Sequence, residues 1–66
     1  MSLDDEYEVA WDNMSDTSQF AICGLIHAGK KIAAIKLVRE ETQWGLKEAK
    51  QMVDSAWIHT KLGEVV

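Results

Sequence analysis

The sequence predicts an all-α domain of three or four short helices around one small core, with a helix–turn–helix pair at residues 30–57. Three observations carry this expectation. Apolar residues recur at three- and four-residue steps along much of the chain, the spacing that builds one face of a helix. Residues 30–42 are dominated by Lys, Ile, Ala, Leu, Arg and Glu, all strong helix formers except Ile. The 66 residues leave room for a single core, since a second would need about twice the length. The chain divides into an acidic N-terminal helix or arm at 1–16 and a helical module at 17–66.

In chain order, Leu3, Tyr7, Ala10, Trp11 and Met14 fall at helical spacing behind a Ser2/Asp5 capping box, which favours a first helix. Tyr7, Val9 and Trp11 also alternate with Glu6, Glu8 and Ala10, so a strand stays open over the same residues. Ser15, Asp16 and Thr17 are helix-start residues ahead of a run in which Ile22, Leu25, Ile26 and Gly29 share a face, with Gly29 as its stop. The alternative is a buried strand over 20–26, and Gly24 weakens either reading. Trp44 and Gly45 end the 30–42 helix. Beyond them Leu46, Ala49, Val53, Ala56 and Trp57 mark one face of a helix over 46–57, with Lys47, Glu48, Gln51 and Asp54 on its other side. The tail at 58–66 alternates at Ile58, Thr60 and Leu62 and reads as a short strand, a helix end or a disordered segment.

The net charge of −4 is unevenly distributed. Residues 1–16 carry six acids and no base, 17–29 carry no charge, and 30–50 hold six bases against three acids. An acidic arm beside a basic middle can fold back onto it, contact a neighbouring copy, or keep the protein in solution. One cysteine cannot form an internal disulfide, and the acidic start does not resemble a secretory leader, so the expected location is cytoplasmic. The uncharged stretch at 17–29 is well short of the roughly 20 apolar residues a membrane span needs. A core this small supplies about 3–5 kcal/mol, which keeps self-association open as a second route to stability.

Winding 32–42 on a helical wheel sets Ala33, Ala34, Leu37 and Val38 on one side and Ile32, Ile35, Lys36 and Arg39 on the other. The Ala-Leu-Val side suits close packing on the Leu46–Ala49–Val53 seam. Two isoleucines beside two cations then form a mixed surface, where apolar area supplies affinity and charge supplies orientation. Lys50 extends the cationic rim, whereas Lys47 points elsewhere. The competing reading has the N-terminal helices cover Ile32 and Ile35 while Lys36 and Arg39 reach past them into water.

The stretch GKKIAAIKLVREETQWGLKEAKQMVD, from Gly29 to Asp54, closely resembles the helix–turn–helix in the C-terminal domain of the bacterial ribosomal stalk protein of the seven/twelve type. It is even more similar to short bacterial and phage proteins that carry only this helical pair, and more weakly similar to the N-terminal helical module of elongation factor Ts. The carrying features are the Ile-Lys pair, the arginine three positions on, Thr42 and the Gly-Leu-Lys-Glu-Ala-Lys run. The resemblance makes 17–66 a stalk-domain-like module. It implies a docking surface for translational GTPases, with the family's contact positions at Ile32, Ile35, Lys36, Arg39 and Lys50, no catalytic activity and no cofactor. The family's amino-terminal dimerisation region and hinge, and the last helix and strand of its domain, are expected to be missing. Where the family has Gly-Leu-Gly at the turn, this chain has Gln43-Trp44-Gly45, so a left-handed Gln43 would cost on the order of 1 kcal/mol. Trp44 replaces an aliphatic residue and is either a cap over the core or a binding anchor.

Other chemistries lack support. Cys23 and His27 stand at i, i+4, but a structural zinc site needs four ligands, and no nucleophilic triad or phosphate-binding glycine loop is recognisable. A pI near 4.9 opposes nucleic-acid binding, and Lys47 and Lys50 on separate faces offer little to read bases with. The expected function is that of a small non-enzymatic adaptor or inhibitor, of bacterial or phage type. It binds a protein, a translational GTPase by resemblance, through Ile32, Ile35, Lys36, Arg39, Lys50 and Trp44, without metal, cofactor or membrane. The alternatives are a homo-oligomeric structural or regulatory protein and a DNA-binding regulator.

Overall fold

A computed structural model describes residues 3–65 and contains five helices: α1 (Leu3–Asp12), α2 (Asp16–His27), α3 (Lys31–Thr42), α4 (Leu46–Asp54) and α5 (Ala56–Val65). The all-α class stands, and among the described residues the strand alternatives at 7–11, 20–26 and in the tail give way to helix. The proposed capping contact of Ser2 lies outside the described residues, as does Val66.

Local chemistry sets the boundaries. Asp4, Asp5 and Glu6 occupy the first turn of α1, where acids favour the positive end of the helix dipole. The Ser15 hydroxyl caps α2 by accepting the backbone N–H of Ser18 at 3.2 Å. At the other end of α2, Gly29 takes φ +75°, its N–H donates to the Ile26 carbonyl, and the Lys30 N–H donates to that of Leu25. This doubly bonded stop needs the left-handed backbone that glycine adopts without penalty. Helix α3 ends on Gln43 at φ 64°, ψ 16°, the left-handed conformation expected from the missing glycine. Its side chain donates to the Glu40 carbonyl at 2.8 Å, and the Thr42 hydroxyl donates to Val38 O while accepting the Trp44 N–H.

The expected single helix over 46–57 is two helices. Ser55 is extended (φ −76°, ψ 156°), its hydroxyl donating to the Met52 carbonyl at 2.6 Å, and α5 starts at the next residue. This break raises the helix number to five. It turns α5 so that Ile58 and Leu62 enter the core.

One core takes side chains from every helix. Ile22, Val38, Met52, Val53 and Ile58 are fully buried, joined by Cys23, Ala34 and Ala49. Tyr7, Trp11 and Met14 close it from the N-terminal side. Tyr7 lies 6.2 Å from Trp44 and 5.8 Å from Trp57, ring centre to ring centre, and Trp11 meets Trp57 edge to face at 5.8 Å. Glu8 clasps α5: it accepts the Trp57 indole N–H at 3.1 Å and an Lys61 hydrogen bond at 2.9 Å. Among the described residues no buried side-chain polar atom lacks a partner.

The core face of α3 differs from the expected one. Ala34, Ile35 and Val38 are buried, whereas Ala33 is exposed. Ile35 sits about 60° around the helix from both Val38 and Ile32, so it belongs to the core edge and to the outer stripe together. Leu46, expected in the buried seam, is the first residue of α4 and is 58% exposed, while Ala49, Met52 and Val53 hold the seam.

Candidate functional site

Helices α3 and α4 form a hairpin whose far ends are tied by a Lys31–Asp54 ion pair at 2.9 Å. Along α3, Ile32, Ile35, Lys36 and Arg39 follow one another at three- and four-residue steps and so form a single stripe. Leu46 and Lys50 stand one turn apart on α4. The hairpin brings these six side chains around one open hollow.

The hollow is apolar at its centre and cationic at its rim. Ile32 is 85% exposed and, with Leu46, leaves large apolar surface in water. Ile35 forms the floor and is only 8% exposed, so the expectation of two projecting isoleucines is corrected to one projecting and one supporting. Lys36, Arg39 and Lys50 are exposed and make no ion pair with any described residue. Among the described residues no acidic side chain lines the hollow. Leu46 was missed as a site residue because its spacing to Ala49 and Val53 reads as core. Its position one turn before Lys50 is the signal that could have found it.

Trp44 does not line this hollow. It is half-buried, packs against the core beside Tyr7, and borders a separate recess with Lys36 and Arg39. Cys23 is buried, which pushes its thiol pKa up and leaves it poorly nucleophilic, and His27 is exposed. Among the described residues no group of three or more His, Cys, Asp or Glu side chains is placed to hold a metal ion. No helix among them is long and apolar enough to cross a membrane.

The fold and this surface together define a small helical module whose prominent feature is a mixed basic and apolar face. Residues 24–63 match the family of the ribosomal protein L7/L12 C-terminal domain, well over half of the chain, and the chain belongs to that family. It is 51% identical over 39 residues to the large ribosomal subunit protein bL12 of Burkholderia lata, covering 59% of this chain and 32% of that protein. It is 69% identical over 29 residues to bL12 of Elusimicrobium minutum, covering 44% of this chain and 23% of that one. The chain thus spans a third or less of the length of these relatives. No solved structure matches it. Helix α1, with the aromatic residues that close the core, lies outside the matched segment.

Proposed function

We propose that the chain is a non-enzymatic protein-binding module that docks a translational GTPase through the hollow between α3 and α4, acting as an adaptor or inhibitor. The observation that carries this reading is the convergence of Ile32, Ile35, Lys36, Arg39 and Lys50, with Leu46, on one open surface whose cations make no ion pair with any described residue. Membership of the stalk-domain family supports the same reading. Ile32 and Leu46 supply the apolar area that gives affinity when water is displaced. Lys36, Arg39 and Lys50 steer and orient an acidic partner. Trp44 stays outside this contact, as a cap on the core beside Tyr7 at the α3–α4 turn.

The test is capture of a purified bacterial translational GTPase by the immobilised chain. The wild-type chain retains it, and a Lys36→Glu/Arg39→Glu variant retains about tenfold less or none, since each reversal removes attraction and adds repulsion. Equal retention by the two proteins removes the hollow as the docking site.

A further inference from the structure

The basic hollow has an acidic counterpart. A groove runs between α1 and the α3–α4 turn, where Glu6, Glu41 and Glu48 surround apolar surface from Leu3, Val9 and Trp44. Glu41 accepts a hydrogen bond from the Ser18 hydroxyl, which holds its carboxylate in place. Five large apolar side chains stand exposed among the described residues, and four of them fall on these two surfaces: Leu3 and Val9 on the groove, Ile32 and Leu46 on the hollow. Isolated exposed apolar residues need no explanation, but their pairing with opposite charge sets on two surfaces does.

The two surfaces lie on different sides of α3 and α4 and adjoin at one edge, where Leu3 of the groove and Lys50 of the hollow line a shared recess. Glu41 lies about 180° around α3 from Ile32, and Glu48 about 160° around α4 from Lys50. A single chain therefore cannot place its own hollow in its own groove.

We propose that the groove receives the basic hollow of a second copy of this chain. In that contact Lys36, Arg39 and Lys50 face Glu6, Glu41 and Glu48, while Ile32 and Leu46 meet Leu3 and Val9. Screening over about 8 Å at physiological salt lets this local complementarity outweigh the repulsion between two chains of like net charge. The contact is head to tail. An open assembly of any length keeps one groove and one hollow unfilled, so association continues past two chains or closes into a ring. It uses the face assigned above to the GTPase, so the two events compete, yet it does not depend on that assignment.

Sedimentation of the full chain from about 10 μM to about 1 mM tests the pairing, a range spanning weak protein association. A groove variant, Glu6→Lys/Val9→Lys, and a hollow variant, Ile32→Asp/Arg39→Glu, change exposed side chains, and circular dichroism checks that both fold. The wild-type mass rises with concentration beyond that of two chains, and each variant alone stays monomeric. In an equimolar mixture the two variants pair, because each retains one intact half. A wild-type chain that remains monomeric throughout, variants that assemble like it, or a mixture that fails to pair overturns the proposal. Capture of the GTPase by the monomeric groove variant separates this outcome from failure of the docking reading.

Discussion

Gln43 is the residue where the chain departs most visibly from its family's turn, and the departure carries strain. A side chain at φ 64° crowds its own backbone, at a cost of about 1–2 kcal/mol that glycine does not incur. Glycine gives back part of the gain through a more flexible unfolded chain. Gln43→Gly is therefore expected to stabilise the protein by about 0.5–1 kcal/mol and raise the thermal midpoint by about 2–8 °C. Gln43→Ala keeps the strain, loses the bond to the Glu40 carbonyl, and brings no such rise. The two isoleucines of the hollow separate in the same kind of measurement. Ile32→Ala changes stability by less than about 0.5 kcal/mol because its side chain is already in water. Ile35→Ala costs about 2 kcal/mol or more because a buried contact is lost. If both line the docking surface, both weaken capture, and only the second lowers the melting temperature.

At the scale of elements, the attachment of α1 to α5 has a pH signature. The hydrogen bond from Lys61 holds the Glu8 carboxyl below its ordinary value of 4.5, with the bond from Trp57 adding to the effect. A carboxyl whose pKa is lower in the folded than in the unfolded state binds fewer protons when folded, so its stabilisation is complete above 4.5. That stabilisation is lost as the pH falls through the lower, folded value. Chemical denaturation of wild-type and Glu8→Gln proteins is expected to differ at neutral pH and to converge in acid below 4.5. A difference that persists unchanged in acid places the effect of Glu8 in packing instead. The clasp itself was illegible in the sequence, because helical spacing reports on neighbours within a few residues and Glu8 meets Trp57 across 49. The break at Ser55 was hidden for a related reason: apolar spacing continues through it from Val53 to Trp57. What turns the chain there is the burial of Ile58 and Leu62 in a core assembled from distant helices.

At the scale of the whole molecule, helix formation and the Gly29 stop could be read from local chemistry, whereas the left-handed Gln43 was legible only through the glycine that the resembling family carries at that turn. The stripe of α3 was read in part. Alanines at 33 and 34 are equally small, and only the position of neighbouring helices decides that Ala34 goes inside while Ala33 stays in water. The same placement drew Ile35 into the edge of the core and left Leu46 outside it. The hollow therefore gained a floor and an extra wall that no single helical wheel contains. The N-terminal residues, read only as an acidic helix or arm, bring Tyr7 and Trp11 into the same core as the segment shared with the relatives.

That last arrangement gathers all three indoles at the seam between α1 and the rest of the chain. Their ultraviolet emission consequently reports the lifting of this first helix, whereas ellipticity averages over the entire backbone. Superimposed melting curves from the two signals mean that leader and family segment come apart together. An emission change at lower temperature means that the inherited portion keeps its shape after the aromatic lid has gone.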